Sequence, residues 1–393
     1  MLAGATRLKD VQVGQIREVL DQATKLEQQG KDVIHLEIGE PDFDTPKEIV
    51  DAAIEALNRG EVHYTSNRGL LPLREAIAEK LKKDNDITAD PESEILVTAG
   101  AAEAIYLAIM AHCNPGDEVL IVEPTFLSYR QLALIAGAKP IGIPTFEKDD
   151  WVVDPDRILK AVTPKTKMII LNSPNNPTGA VLPPDVLEKI AAIAIEHDLL
   201  VLSDEIYEKI IFSEQKHHSI ASLPGMKERT LTINGFSKAY AMTGWRIGYI
   251  AAAQELMLPM VKLHQYTVTC ISTFSQYAAI TALKDGEPSV KRMTEEYEKR
   301  KNLVVEALND IEGLTCSVPN GSFYAFPNIK AFGMSSQEFA NSVLHETGVA
   351  LVPGHIFSPY GEGYVRLSFA TSEEQLQEAF KRLKAFSEKM LKT

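Results

Sequence analysis

The sequence predicts an α/β protein: a large domain on a seven-stranded, mostly parallel sheet between helices, with a smaller α/β domain beside it. Three observations carry this. From Glu94 onward, short apolar runs alternate with helical stretches, the pattern of strands joined by crossover helices. Residues capable of chemistry follow the ends of those runs, where open α/β sheets gather ligands. After Thr281 the alternation fades, and a long charged helix leads into a second group of short strands.

Taken in order, residues 15–29 set Ile16, Val19, Leu20, Ala23 and Leu26 at helical spacing, with Gly30 as C-cap. Val33 to Leu36 reads as a short strand entering the loop Gly39-Glu40-Pro41-Asp42-Phe43-Asp44-Thr45-Pro46, and Thr45-Pro46 can open a helix through Leu57. His63-Tyr64-Thr65 precedes Gly69 and a helix from Leu73 to Lys82. The first four apolar runs are Ile95 to Thr98, Val119 to Val122, Pro140 to Ile143 and Met168 to Leu171. The last three are Leu199 to Leu202, Leu231 to Ile233 and Ile247 to Ala251. Gly100-Ala101-Ala102 follows the first and opens a helix whose free N–H groups make an anion site. Phe126 follows the second run, Asn176 the fourth, Asp204 the fifth and Lys238 the sixth. Arg246 heads the seventh and reaches the same edge only if that strand runs antiparallel. A long helix over Pro288 to Asn309 leads to apolar segments at Gly321 to Phe326, Val349 to Leu351 and Tyr364 to Phe369. The expected division is 1–44 as an N-terminal segment packing with the small domain, 45–285 as the large domain and 286–393 as the small one.

Composition narrows the function. Hydrophobic residues are 45% and charged residues 24% of 393, the balance of a soluble globular protein long enough for two or three domains. A formal net charge of −14 opposes non-specific binding to nucleic acid or an anionic membrane. The opening MLAGATRLKD has no apolar signal core, and no stretch approaches a membrane span. Cys113, Cys270 and Cys316 make no CxxC pair and read as small core residues in a reducing compartment. A cytoplasmic protein is expected. His217-His218 reads as a surface loop, the nine histidines show no metal-ligand spacing, and no GxxxxGK[ST] loop occurs. Neither a metal nor a nucleotide is expected.

The stretch from Asn234 to Ile250, NGFSKAYAMTGWRIGYI, carries the chemistry. An isolated lysine is ordinarily a solvated charge, but Lys238 follows an apolar strand and a Gly. That position suits an amine of lowered pKa that attacks a carbonyl and forms a Schiff base. Arg246 has a planar fork suited to a phosphate. A carbonyl and a phosphate on one small molecule describe pyridoxal 5'-phosphate. Here the sequence resembles the class I/II aminotransferases, of pyridoxal-phosphate fold type I, whose lysine signature SKxxxMTGWRxGY is matched at every fixed position.

The resemblance runs from the GEPDF loop to VRLSF, and it implies one antiparallel strand in the large sheet. It implies that Asp204 ion-pairs with the pyridine nitrogen, that Tyr207 and Asn176 hydrogen-bond the phenolic oxygen, and that Phe126 stacks on the ring. Core packing competes for Phe126. The phosphate would be held by the helix start at Gly100, Ala101 and Ala102, by Ser237 and Arg246, and by Tyr64 from the second subunit of a homodimer. Gly39 would offer its N–H, and Arg366 its guanidinium, to the substrate carboxylate. Lys238 would move the proton at Cα. Some relatives have a Ser where this chain has Gly235. Some aspartate-preferring relatives have a Lys in the segment TAGAAEA, where this chain has Ala101, Ala102 and Glu103. Aromatic or broad amino acids are therefore expected as donors, with 2-oxoglutarate as acceptor in a ping-pong cycle. Aspartate or alanine transamination, a β-lyase or cyclopropane-forming reaction on the same scaffold, and a non-enzymatic sensor are the alternatives.

Overall fold

The computed structural model describes residues 4–12, 14–212 and 216–392. The strands in chain order begin with β1 (Ile34–His35), β2 (Ile95–Thr98), β3 (Glu118–Glu123), β4 (Lys139–Pro144), β5 (Thr166–Asn172) and β6 (Leu200–Asp204). They continue with β7 (Thr230–Gly235), β8 (Gly248–Ala251), β9 (Tyr324–Ala325), β10 (Val349–Ala350), β11 (Val352–Pro353) and β12 (Val365–Ser368). A seven-stranded sheet has the order β2-β8-β7-β6-β5-β3-β4. β8 is antiparallel to both neighbours, and the other pairings are parallel.

Alternation along the strands explains the layers. Ile121 and Met168 face a core shared with the helices Gly100–His112 and Gln254–Thr267, while Leu120 and Ile169 face the helix Pro184–Glu196 on the other side. Strands buried on both faces read as continuous apolar runs, which is why these were visible in the sequence. Leu120 is fully buried, and its truncation to Ala should cost about 2–5 kcal/mol. A third core lies under the helices Lys47–Asn58, Leu71–Asn85 and Thr273–Asp285.

The C-terminal part forms an antiparallel sheet of order β11-β12-β9 against the helices Glu287–Asn309, Ser336–Thr347 and Glu373–Leu391. The N-terminal segment reaches it through β1, which pairs in parallel with β10. Ser335 and Glu338 form a reciprocal capping box at the start of Ser336–Thr347. Two expectations need correcting. His218 is exposed as expected of a surface loop, but the His217 side chain is not: it is 7% exposed and lies 2.8 Å from Glu205, because a buried carboxylate draws it in. Cys270 is only partly buried, three residues past the helix Gln254–Thr267, whereas Cys113 and Cys316 are core residues.

Candidate active site

The C-terminal ends of β3, β5, β6 and β7 open on a cavity of about 340 Å³. Because β8 runs antiparallel, the chain before it brings Arg246 to that same edge. The helix Gly100–His112 starts there as well, and Ala101 and Ala102 line the cavity. Gly100 stands just behind them at φ +76, a backbone setting that favours glycine, and a Cβ there would lie 2.6 Å from Arg246 Nη2. Arg246 is exposed at φ +54 and donates to the Thr243 carbonyl at 2.9 Å. A non-glycine residue in the left-handed region is strained, and such strain persists where a site requires it. Free N–H groups, an available guanidinium and Ser237 at the wall make an anion cradle.

Gly235 shows why that position carries no hydroxyl. A Cβ would lie 3.0 Å from Gly248 Cα and 3.2 Å from the Ile247 carbonyl, so β7 and β8 leave little room.

Lys238 donates to the Gly39 carbonyl at 2.6 Å. Burial lowers its ammonium to about 8; Glu40 opposes the shift, and Arg366 and Arg246 add to it. Gly39 is needed at this approach, since a Cβ would lie 2.5 Å from the Tyr324 hydroxyl. Its loop is tied down by Arg300, whose Nη1 donates to both Asp42 oxygens at 2.8 Å, and by Thr243, which donates to Glu40 at 3.0 Å.

Asp204 is 3% exposed and lines the cavity. Burial raises its carboxyl to about 6, against the hydrogen bonds from Tyr129 and the Ile206 N–H. Tyr129 is the partner that the sequence reading missed; its hydroxyl donates to Asp204 Oδ2 at 2.7 Å. Tyr207 shares a 2.9 Å hydrogen bond with Tyr324, a second residue not foreseen. Asn172, a third, donates to the Asp204 carbonyl at 3.1 Å. Phe126 stands at the wall, edge-on to Tyr129 with ring centres 5.8 Å apart.

Arg366 is 2% exposed. Its Nη1 donates to Asn176 Oδ1 at 3.1 Å and its Nη2 to the Glu37 carbonyl, while Nε finds no partner among the described residues. The rings of Tyr324 and Phe357 lie 4.5 and 5.1 Å from it. Its acceptors are neutral, so a buried cation faces the cavity without a carboxylate in contact. Tyr64 lies apart from these groups, 89% exposed.

A lysine, a buried carboxylate and an anion cradle around one cavity fit pyridoxal phosphate, and they define an α/β protein of pyridoxal-phosphate type. The chain belongs to the aminotransferase class I and II family, whose model matches residues 31–383. It is 50% identical over 393 residues to an aspartate aminotransferase of Pyrococcus abyssi, covering 99% of this chain and 100% of that one. It is 48% identical to aromatic-amino-acid aminotransferase 2 of Thermococcus litoralis, again covering 99% and 100%. The crystal structure of the aromatic aminotransferase of Pyrococcus horikoshii superposes with a TM-score of 0.90 at 49% identity, covering 93% of this chain and 99% of that one. The protein is an aminotransferase of the aspartate or aromatic-amino-acid type and uses pyridoxal phosphate.

Proposed function

We propose that the protein transfers the amino group of an aromatic or broad range of L-amino acids to a 2-oxo acid, 2-oxoglutarate foremost, in a ping-pong cycle. The observation that carries the donor preference is the charge of the cavity. Its cations are Lys238, Arg246 and Arg366, and its remaining acidic group besides Asp204 is Glu40. With Arg246 assigned to phosphate and Arg366 to the α-carboxylate, nothing in this chain's cavity selects a distal carboxylate in the donor, and the distal carboxylate of 2-oxoglutarate would depend on a cation from the second subunit.

Bound pyridoxal phosphate supplies a carbonyl for the donor amine and an electron sink for the bond at Cα. The protein does the rest. The helix start at Gly100, Ala101 and Ala102, with Ser237 and Arg246, holds the phosphate. Asp204 would pair with the ring nitrogen and favour its protonated form. Tyr207 and Asn176 would hold the phenolic oxygen, and Phe126 would lie against the ring. Arg366 and the Gly39 N–H orient the substrate carboxylate, and Lys238 carries the proton to and from Cα.

Tyr64 is read as a phosphate ligand for the second subunit of a homodimer in the cytoplasm. The division into 1–44, 45–285 and 286–393 is likewise our reading, supported by the β1–β10 pairing.

A dicarboxylic donor is the competing reading, favoured by the name of the Pyrococcus abyssi relative. Steady-state rates with Phe, Tyr, Asp and Ala decide between them. Higher kcat/KM for Phe and Tyr supports the aromatic reading, and a strong Asp preference overturns it.

A further inference from the structure

Behind the segment that bears Asp204 and Tyr207 lies a second group of buried charges. β6 ends at Asp204, and the chain turns through Glu205, Ile206, Tyr207 and Glu208. Asp204 and Tyr207 line the cavity, whereas Glu205 and Glu208 do not and are 0% and 9% exposed. Glu205 Oε1 accepts from Ser203 at 2.9 Å and Ser219 at 2.7 Å. Its Oε2 accepts from His217 Nε2 at 2.8 Å and from Asn85 at 3.1 Å. Glu208 accepts from Asn85 at 2.6 Å through one oxygen and pairs with Lys80 through the other. Lys80 also donates to Asn85 Oδ1 at 2.7 Å. Ligand-type atoms of Glu205, Glu208 and His217 lie within 4.8 Å of one another, a spacing that suits a cation. The Lys80 ammonium meets this group at Glu208.

The charges then demand a balance. Two carboxylates against one ammonium leave a net negative charge where burial makes it costly. Protonated His217 would restore neutrality: burial lowers its proton affinity, but Glu205 and Glu208 outweigh that and raise it, and its Nδ1 has no hydrogen-bond partner among the described residues. Burial likewise pushes Glu208 up, and Lys80 and His217 hold it down at about 2. The phenols of Tyr240 and Tyr249 also feel Glu208; burial foremost raises both, so they stay neutral. Asp84 is paired with Lys209 at 2.8 Å. Glu205 in turn favours the protonated form of Asp204, its neighbour in the chain.

We propose that Lys80, Asn85, Glu205, Glu208 and His217 form a charge-balanced positioning network that aims Asp204 and Tyr207 into the cavity and sets the field around them. It rests on the reading of Asp204 as partner of the cofactor's ring nitrogen. Two side chains of one turn are clamped on the rear, which fixes the direction of the two on the front. A change of charge on the rear is felt on the front because little solvent lies between.

The test is the pH midpoint of the visible absorbance of the holoenzyme. His217→Gln keeps a donor for Glu205 and removes the positive charge. Its midpoint should rise by about one pH unit, since an unbalanced negative charge favours protonated forms nearby. Glu208→Gln should lower the midpoint by a similar amount. Lys80→Met with Glu208→Met removes one charge of each sign, preserves the fold and should restore the wild-type midpoint. Single variants that lose thermal stability but keep the wild-type midpoint would show that the cluster supports only the fold, and would overturn the inference. Asp204→Asn separates the two layers. A spectrum altered by Asp204→Asn but untouched by His217→Gln and Glu208→Gln overturns the network alone. A spectrum untouched by Asp204→Asn overturns the ring-nitrogen reading with it.

Discussion

Two sets of buried charges stand back to back across residues 203–208, and they are built on opposite terms. On the rear, both oxygens of Glu205 and of Glu208 accept hydrogen bonds, and Lys80 meets a carboxylate and an amide. On the front, Lys238 has the neutral Gly39 carbonyl, and Arg366 has a side-chain amide and a backbone carbonyl. Burying a charge costs free energy on either side, and only the rear set offsets that cost within the chain. The difference teaches where function lies. A buried charge whose counter-charge is built in holds the fold; one whose counter-charge must come from outside holds a ligand.

Removing Lys238 breaks the front most severely. Lys238→Ala should lower kcat at least about 10⁴-fold, because it deletes the group that moves the Cα proton. Pyridoxal phosphate should still stay bound after desalting, held by the helix start and Arg246, and its absorbance checks this. Turnover near the wild-type rate would assign the proton to another group. The rear breaks differently. Lys80→Ala leaves Glu208 buried without its counter-charge and should cost about 3–5 kcal/mol of stability. Urea unfolding should show this as a lower midpoint with an unchanged slope. Arg366→Met sharpens the contrast, because its two effects have opposite signs. The kcat/KM for the amino donor should fall about 10²–10³-fold, mainly through KM, as expected when one partner of a buried charge pair is truncated. The apoprotein should nonetheless gain thermal stability, since an apolar side chain replaces a guanidinium that has only neutral acceptors. A loss of stability in Arg366→Met would place Arg366 with the structural charges.

The same contrast explains what could be read in the sequence. The seven strands were legible because burial on both faces makes each a continuous apolar run. The gathering of Lys238, Asp204 and Arg366 at one cavity was legible because a charge beside or inside such a run has no solvent to justify it. Tyr129 and Tyr324 were not, since tyrosines are common core residues and their partners lie 75 and 117 positions away. His217 was misread for a related reason. Two adjacent histidines in a polar stretch look solvated, and nothing local announces Glu205, 12 residues earlier, or the helix that supplies Lys80 and Asn85. Chemistry declared by one residue's surroundings in the chain could be read; chemistry made by distant polar residues meeting could not.

The smallest expected effect concerns the pH at which the front of the segment becomes reactive. Only the neutral amine of Lys238 attacks a carbonyl. Its ammonium is lowered to about 8 from the 10.5 of an ordinary lysine, so the neutral fraction rises through pH 8. Uptake of pyridoxal phosphate by the apoprotein should therefore accelerate with pH and level off above about 8, followed by stopped-flow absorbance. Glu40→Gln should shift that midpoint downward, because the Glu40 carboxylate favours the ammonium. His217→Gln acts through Glu205 from the rear, and its added net negative charge should shift the midpoint upward. Opposite displacements from two residues on opposite sides of the segment would show that both sets of charges act on one amine. A midpoint near 10 in the wild-type apoprotein would mean that Lys238 is solvated, and that the front holds its charge no differently from the surface.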